Sequence, residues 1–520
     1  IIIIGVASFA YFGTFNVNLN NNVAVNINAV SPGDATFISK GAILNLQVSA
    51  VNMSQTNAGT LASSSNATLT VELTGSPNLS TTCIYDVVYE YDTNSNVYGT
   101  SPTTKNGDKE ITLEVTSPNG TNNFSTEKNF DSSTIASYKS GNTYTLVSGV
   151  SIVSTGTKTS QNINKTARYY NLNASQDNLA SKAFTGKIYA VKKNCETGEI
   201  PTIAKDVILL YNGGETVIKA KGTPDFSTVA TTNEGMYAAE DDLGTSYYFR
   251  GAVDNNWVKF GKDSSGNDIY WRIIRINGDG SIRMVYTGTT APTESTKVIM
   301  TGEGTAIGRS AFNSSSNSSE YVGYMYTVGQ QHGTGTSSTI KTTIDNWYKT
   351  TTLETDAATK TLVADQIFCN DRSPSSIQTA AWTSTGANYS YGANGRISSD
   401  KTPILKCGAA SDKFTSKNSS IGNKALEYPV GLITADEITF AGLPAGKTNN
   451  SFYLYTGDYY WAGSPNGFNV GYAIEFDVVD GGYLGSDRVH SNGGVRGVVS
   501  LSSESKLLGS GTYNDVYTVN

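Results

Sequence analysis

Residues Tyr270–Gly288, YWRIIRINGDGSIRMVYTG, constrain the fold of this 520-residue chain more than any other stretch. Apolar and polar residues roughly alternate on both sides of Asn277–Gly280, which is the pattern of two β-strands flanking a turn. Asn and Gly tolerate positive φ, so NGDG predicts a tight reversal between the strands. The apolar side chains of the two arms supply enough surface to start a core: Trp271, Ile273, Ile276, Ile282, Met284 and Tyr286.

The chain before this hairpin is a succession of short apolar or alternating segments. From Asn16 to about Leu210, stretches such as ATLTVELTG, CIYDVVYEY and KEITLEVTS are separated by turn clusters such as SPGD and KNGDK. Strands spaced in this way predict an antiparallel β-sandwich, jelly-roll-like in its arrangement. A chain of this length is expected to form two or three domains. The predicted boundaries are 1–15 for an apolar N-terminal segment or export-signal remnant, 16–210 for the β-sandwich, 211–246 for a linker, and 247–520 for a C-terminal domain.

The C-terminal domain is predicted to add helices to its strands. Ile340, Ile344, Trp347 and Tyr348 recur at helical spacing, and residues 357–368 predict a second helix. These apolar stripes are interpreted as core and not as a ligand site. Residues 374–425 are rich in Ser, Asn and Gly, which predicts a long loop. The expected fold is therefore mainly β, with a C-terminal α+β part.

Composition favours a protein outside the cell. Charged residues are only 16% of the chain, the net charge is −7 and the pI is about 5.1. Since no basic patch accompanies this balance, nucleic acid is excluded as a partner. Abundant Gly, Ser, Thr, Asn and Tyr suit the hydroxyl-rich sheets of extracellular and cell-wall proteins. Any soluble all-β protein is the alternative.

The four cysteines fall as one pair in each half of the chain: Cys83, Cys195, Cys369 and Cys407. They have no CxxC or Cys/His spacing of the kind that binds zinc. In an oxidising compartment, Cys83–Cys195 and Cys369–Cys407 are the natural disulfide bridges. Four buried thiols are the alternative interpretation.

The N-terminal residues 1–15, IIIIGVASFAYFGTF, are almost wholly apolar but too few to span a bilayer, which takes roughly 20 residues. Ser8 and Ala10 are small residues at the −3 and −1 positions of a signal-peptidase site, so cleavage would leave Tyr11 first. An uncleaved anchor and a buried first strand are the alternatives. ASFAYFGTFNVNLNNN resembles the export junction of bacterial surface fibre proteins of the camelysin/TasA type. That resemblance implies export from a Gram-positive-type bacterium and fibre assembly by strand exchange.

The C-terminal half carries a second resemblance. Strand pairs, two helices, a long loop, YYWAGSPN and a terminal GVRGVVSL resemble the C-type-lectin-like fold, including its formylglycine-generating-enzyme branch. YYFRGAV, WYKTTTLE, FCNDRS and YPVGLITADE resemble a gut-bacterial surface domain of uncharacterised function, across residues 234–520. The resemblance implies a C-type-lectin-like domain at 247–520, whereas fold alone fixes no activity.

Calcium-dependent sugar binding is not expected, because that chemistry needs a carboxylate-Pro-Asn type motif and a partner such as Trp-Asn-Asp. Ser464-Pro465-Asn466 lacks the carboxylate, and the matching later stretch is Phe476–Asp480. The segment KDSSGND, which contains Asp263 and Asp268, has calcium-loop chemistry but not the full spacing. We interpret it as a hairpin turn.

Enzymatic activity is not expected either. The formylglycine-generating type needs a redox-active or copper-binding cysteine pair, whereas Cys369 and Cys407 read as a structural bridge. The two histidines, His332 and His490, are far apart in sequence and do not make a base-and-nucleophile set. Two carboxylate pairs remain. Asp436-Glu437 reads as the first turn of a short helix, and Asp241-Asp242 has no assigned role.

Aromatic density provides the remaining candidate site. Seven aromatic residues lie between Tyr453 and Tyr472, with Asn, Asp and Gly among them. Rings combined with amides and carboxylates hold sugars or polar protein surfaces without a metal, although alternate rings also fill sheet cores. Tyr459, Trp461 and Asn466 are the predicted binding residues. With no cofactor expected, the sequence predicts a cell-surface adhesion or recognition protein whose partner is a glycan or a protein; the alternative is a structural subunit of an extracellular fibre.

Overall fold

The computed structural model describes residues 29–30, 35–47, 59–75, 79–91, 111–125, 143–172, 176, 183–199 and 201–520. The predictions for the apolar segment 1–15 and the cleavage site before Tyr11 lie outside the described residues, as do residues 16–28 at the start of the predicted β-sandwich. The chain divides into two compact units; the second consists of Thr197–Asn520 together with the short segments Asn78–Thr82 and Pro118–Thr121. Within the described ranges, no helix has both the length and the apolarity to cross a membrane.

The described part of the first unit contains ten strands in two antiparallel sheets. Their orders are β1-β2-β4-β9-β6-β7 and β3-β10-β5-β8. The strands are β1 (Ala29–Val30), β2 (Thr36–Lys40), β3 (Ala42–Gln47), β4 (Leu61–Thr74), β5 (Leu79–Tyr91), β6 (Ile111–Ser117), β7 (Gly120–Ser125), β8 (Thr143–Ser154), β9 (Lys158–Tyr170) and β10 (Ala183–Glu199).

The two sheets of the first unit share one apolar core, as the alternating sequence predicts. On β6, Ile111, Leu113 and Val115 are buried, and the residues between them are half-buried. The core combines side chains from both sheets, including Val71 of β4 and Phe184 of β10. The arrangement is sandwich-like, so this level of the prediction is confirmed.

The second unit contains eighteen described strands in mixed sheets. The larger ones have the orders β11-β12-β14-β13-β28-β27, with β15 joining β14 to β26, and β16-β25-β22-β23-β24, with β20 beside β22. The strands are β11 (Asn233–Asp241), β12 (Gly244–Gly251), β13 (Trp257–Lys262), β14 (Asp268–Ile276), β15 (Ile282–Gly288), β16 (Arg309–Ala311), β17 (Met325–Tyr326), β18 (Thr336–Ser337), β19 (Phe368–Cys369), β20 (Tyr389–Ser390), β21 (Lys413–Phe414), β22 (Tyr460–Asn469), β23 (Tyr472–Val478), β24 (Leu484–Arg488), β25 (Asn492–Gly494), β26 (Val498–Leu501), β27 (Leu507–Leu508) and β28 (Tyr517–Val519).

The predicted hairpin is confirmed as the pair β14–β15 at the centre of the second unit. Ile276 is paired with Ile282. The backbone N–H of Asn277 donates to the carbonyl of Ser281, and the carbonyl of Asn277 accepts from the N–H of Gly280, which closes the turn. β15 also pairs with β26, so both arms are flanked by further strands. The six apolar side chains that the sequence marked are all buried in the core of the unit.

The helices of the second unit are short. They are α1 (Ala204–Tyr211), α2 (Glu215–Ala220), α3 (Thr339–Tyr348), α4 (Thr352–Thr355), α5 (Ala357–Thr361) and α6 (Ala435–Phe440). The spacing that predicted α3 is confirmed, with Ile340 and Ile344 buried. The helix predicted at 357–368 ends at Thr361, because the chain then joins β26: Val363 forms a bridge with Leu501, and Ala364 donates to Ser500.

The stretch 211–246, predicted as a linker, is part of the second unit. It contains α2 and β11, whose Ile218 and Met236 are buried in the unit's core. The long segment 374–425 contains short strands, a π-helix at Asn394–Asp400 and a 3₁₀ turn at Ala410–Asp412. It is therefore a structured lobe of the unit, with Ile397 and Phe414 contributing to the core.

Both predicted disulfides are present. Cys83 of β5 is bonded to Cys195 of β10, and Cys369 of β19 is bonded to Cys407. The described residues contain no free cysteine. Two such bridges indicate that the protein matures in an oxidising environment, as extracellular proteins do.

Candidate functional site

A polar cleft in the second unit brings together residues that are distant in sequence. It encloses about 570 Å³ of space outside the protein atoms, part of it open to solvent. Strands β11, β14 and β15, helix α6 and the lobe at 374–425 all contribute to its wall. The charged residues that line it are Asp241, Asp242, Arg275, Arg283, Asp371, Arg396, Lys406, Asp436 and Glu437.

Glu437 is the buried anion at the back of the cleft. Its Oε1 lies 3.0 Å from Nε of Arg275 and 2.6 Å from Nε of Arg283. Arg275 also reaches Asp241, with Nη1 2.6 Å from Oδ2. Burial alone raises the pKa of Glu437, but the two arginines more than offset it and leave the pKa below its ordinary value. Glu437 is therefore ionised and held rigidly by two strands.

The local sequence explains why Glu437 occupies this position. Thr434 caps α6: its hydroxyl accepts from the backbone N–H of Glu437 at 3.1 Å, and the Glu437 carboxylate accepts from the backbone N–H of Thr434 at 3.0 Å. This reciprocal arrangement is a capping box. The prediction that Asp436-Glu437 forms the first turn of a short helix is confirmed.

A second ion-pair cluster closes the other side of the cleft. Arg396, from the π-helix, donates through Nη1 to Asp371 at 2.7 Å and through Nη2 to Asp436 at 3.0 Å. Asp436 also accepts from the backbone N–H of Ile404 at 3.0 Å. Burial lowers the pKa of Arg396, but its two carboxylate partners outweigh that effect and raise it overall. The cluster attaches the lobe at 374–425 to α6.

The Cys369–Cys407 bridge lies at the same place, with Cys369 lining the cleft. The backbone N–H of Cys407 donates to Asp242 at 2.9 Å, and Lys413 forms an ion pair with the same carboxylate at 2.8 Å. The carboxylate pairs Asp241-Asp242 and Asp436-Glu437, which the sequence offers as separate features, thus line one cleft.

The acidic side chains of the cleft are already engaged by other groups of the protein. Each of its five acidic residues already accepts hydrogen bonds from arginine, lysine or backbone N–H groups, so none is an unengaged acid or base. In the described lining, Asn277 and Lys406 can still form hydrogen bonds or ion pairs with a ligand. The Oδ1 atom of the buried Asn277 has no hydrogen-bond partner, and Lys406 is exposed at the rim without a described partner.

The arginines of the cleft were not among the predicted site residues. Arg275 and Arg283 alternate with apolar residues on β14 and β15, a pattern that normally indicates a solvent-facing side of a strand. Both are buried here because Glu437 supplies an opposite charge inside the unit. The segment TADEITF could have revealed them. It is a short, mostly apolar helix that carries two acids, and acids buried in such a helix require cationic partners.

The three predicted binding residues differ in their burial. Trp461 is completely buried (0% exposed); its Nε1 donates to the carbonyl of Ser310 at 2.9 Å and its ring packs edge-on against Phe312. It therefore fills the sheet core and offers no surface to a ligand. Tyr459 and Asn466 are half-buried, and none of the three lines the polar cleft. Ligand binding by Tyr459 and Asn466 stays a prediction.

The SPN segment has a structural role. The Ser464 hydroxyl accepts from the backbone N–H of Ala435 at 2.9 Å, in the first turn of α6, and Asn466 accepts through its carbonyl from Tyr391. The segment KDSSGND forms the turn between β13 and β14, where Asp263 accepts from the N–H groups of Ser265 and Asn267. These interactions engage the Ser464 hydroxyl and the Asp263 carboxylate within the fold.

The two histidines lie in separate places. His332 is half-buried, with Nδ1 2.9 Å from Oδ2 of the buried Asp412, which Arg372 also engages. His490 lies beside the ring of Tyr472. In the part of the chain that the structure describes, no group of three or more His, Cys, Asp or Glu residues is arranged to hold a metal ion.

Comparison of the chain with models of known protein families, with curated proteins and with solved structures finds no match.

Proposed function

We propose that the chain is an extracellular adhesion or recognition protein of a bacterial surface, and that its second unit is a C-type-lectin-like domain that binds a polar ligand at the cleft of Glu437 and Arg396. The observation that supports this most directly is the fixed polar lining of the cleft. Ion pairs from β14, β15, α6 and the π-helix hold its side chains in place before any ligand arrives. Preorganisation of this kind lowers the entropic cost of binding.

Recognition fits this lining better than catalysis. A general acid or base needs a carboxyl group that is free to exchange its proton with a substrate. The carboxylates here are engaged by cations and backbone N–H groups, and Glu437 is held ionised by Arg275 and Arg283. A ligand with hydrogen-bond donors could use the free acceptor of Asn277, and Lys406 adds a positive charge at the rim. A glycan or a polar protein segment has this chemistry.

The test is binding of the intact chain to a glycan array and to whole cells, with and without calcium. Lys406→Glu is expected to weaken binding at least about 10-fold, because an exposed cation becomes an anion at the rim of a fixed polar site. Lys417→Glu is the matched control, since Lys417 is also exposed but does not line the cleft. Equal binding by both variants, or no binding of the parent protein above background, would refute the proposal.

The second candidate is a structural subunit of an extracellular fibre. It is favoured by the first unit, a pair of sheets that end in edge strands such as β3, which has one neighbouring strand among the described residues. Edge strands accept an added strand through their backbone groups. Electron microscopy of the exported protein decides between the two candidates: fibres that disappear when residues 11–30 are deleted support the subunit, and discrete particles support the recognition protein.

A further inference from the structure

Strand β23 contains two buried acidic residues whose carboxyl oxygens are incompletely hydrogen-bonded. Glu475 is 0% exposed and Asp477 is 1% exposed. Neither carboxylate oxygen of Glu475 has a hydrogen-bond partner, and Oδ1 of Asp477 has none. Burying a carboxylate without a cation or hydrogen bonds costs several kcal/mol, whereas the neutral acid is far cheaper to bury. The fold therefore favours the protonated form of both groups.

The register of the sheet adds a third acid. Glu475 is directly opposite Asp487 of β24, and Asp477 is opposite Gly485. Directly opposite side chains share a face, with Cβ atoms roughly 5 Å apart, and residues i and i+2 of a strand do so too. Glu475, Asp477 and Asp487 consequently project from one face of the β23–β24 pair, so ionisation of the buried pair adds repulsion to the cost of desolvation.

The described elements packed against β23 bring no free cation to the face that carries Glu475 and Asp477. Arg488 of β24 is opposite Ile474, so it lies on the other face, over the ring of Tyr472. On the β22 side, Glu475 faces Pro465 and Asp477 faces the apolar Trp461. The Tyr459 hydroxyl, which precedes β22, lies near the Asp477 carboxyl without completing a hydrogen bond of ordinary geometry.

The remaining charged groups around β23 are engaged elsewhere. The 3₁₀ turn Ser319–Val322 contributes another acid, Glu320, which accepts from the hydroxyl of Ser318. Arg372, the cation that acts on Glu475, is bound to Asp412. Arg309 is paired with Asp458. The described surroundings therefore hold no cation that could neutralise an ionised Asp477.

The pKa values follow from this environment. Burial raises the pKa of Asp477 to about 7, with Tyr459 lowering it and Asp487 raising it, and burial raises the pKa of Glu475 well above its ordinary value. In the unfolded chain both groups ionise near pH 4. Between roughly pH 4 and pH 7 the folded strand binds more protons than the unfolded one, so its stability is greatest in acid and falls as the pH rises.

Because β24 lies at the edge of its sheet, it is the strand that separates when the pair loses stability. β24 is the last strand of its sheet and, among the described strands, pairs with β23 alone. Separating it breaks that ladder and the hydrogen bond from Gly446 to the carbonyl of Leu484, and it uncovers the face of the pair on which Glu475 and Asp477 lie. We propose that the β23–β24 edge is a pH-operated latch, closed in acid and loosened towards neutral pH, that exposes an edge strand when it opens. This inference does not depend on the ligand of the cleft.

Hydrogen exchange of the full chain at pH 5 and pH 8 tests the latch, after correction for intrinsic exchange rates. The protection factor of residues 484–488 is expected to fall by about 10- to 100-fold from pH 5 to pH 8, as the pKa difference of Asp477 requires. Residues 282–288 of β15 are the internal reference and should change little. Equal protection at both pH values, or a fall of the same size in β15, would overturn the proposal.

Variants identify the groups responsible. Asp477→Asn is expected to reduce the pH dependence of protection in β24, and Glu475→Gln combined with Asp477→Asn is expected to remove it. Asp480→Asn is the matched control: it removes an exposed acid from the β23–β24 turn and should retain the parent profile. A double variant that keeps the full pH dependence would also overturn the proposal. If the double variant does not fold, the comparison of β24 with β15 at pH 5 and pH 8 in the unmodified protein still supports or overturns the proposal.

Discussion

Replacing Lys165 by methionine is expected to stabilise the first unit by about 3–5 kcal/mol at pH 7. Lys165 lies on β9 among the inward-facing residues Ile163 and Ala167 and is 1% exposed. Its Nζ has no hydrogen-bond partner. Methionine has a similar length and no charge, so the substitution removes the unpaired ammonium group without opening a large cavity.

The magnitude follows from the pKa of Lys165, which burial lowers from 10.5 to about 7. A difference of about 3.5 units at about 1.4 kcal/mol each corresponds to roughly 5 kcal/mol, and relaxation around the amine reduces the realised value. The sign is that of a lowered lysine pKa: the unfolded chain binds more protons between pH 7 and 10. The penalty is therefore complete below about pH 7 and disappears as the pH rises towards 10.

The two units can be followed separately during unfolding, because tryptophan occurs in only one of them. All five tryptophans lie in the second unit, so their fluorescence reports only that unit, whereas far-UV circular dichroism reports both. Urea unfolding of Lys165→Met should shift a transition that circular dichroism detects and leave the fluorescence transition in place. Lys158→Met is the control: it removes an exposed lysine of the same strand that pairs with Glu72 at 2.8 Å. A change within about 1 kcal/mol is expected for it.

Two results would refute the reasoning. The first is destabilisation of the first unit by Lys165→Met, which would mean that the ammonium group contributes favourably to the fold. The second is a gain that persists at pH 10, where the penalty of a neutralised amine should have vanished. Such a gain would assign the effect to improved packing and not to the buried charge.

Three further predictions concern the second unit, measured by tryptophan fluorescence during urea unfolding. Glu437→Gln should destabilise it by about 3–5 kcal/mol, because Arg275 and Arg283 lose their buried anion; a loss below about 1 kcal/mol would contradict this. Replacing Cys369 and Cys407 together by serine should cost roughly 3–4 kcal/mol, from a bridge between residues 38 apart; unchanged stability would mean that the lobe needs no covalent restraint. Trp461→Ala should cost about 3–5 kcal/mol, since the ring is buried; a loss below about 1 kcal/mol would mean that the ring contributes little to the core.

The elements that the sequence predicted well are those in which local pattern and tertiary environment agree. The NGDG hairpin, helix α3 and the capped turn beginning at Thr434 each have a turn, spacing or capping signal that the surrounding sheets reinforce. The helix predicted at 357–368 is truncated because Ala364 finds a backbone partner in β26, which no local signal reveals. The cleft was missed for a related reason: its arginines, acids and disulfide come from five segments of the chain.

The sequence by itself determined that the chain is mainly β, that its cysteines would pair within each half if they were oxidised, and that a hairpin at 270–288 forms the core of the C-terminal part. Those features depend on side-chain alternation, turn chemistry and cysteine content, which are local properties. Only the tertiary structure decided that Trp461 is buried, that Arg275 and Arg283 converge on Glu437, and that the charged groups of Lys165 and Glu475 are enclosed without hydrogen-bond partners. Burial of a polar group depends on the residues that other parts of the chain place around it. The periodicity along one strand does not show which residues those are.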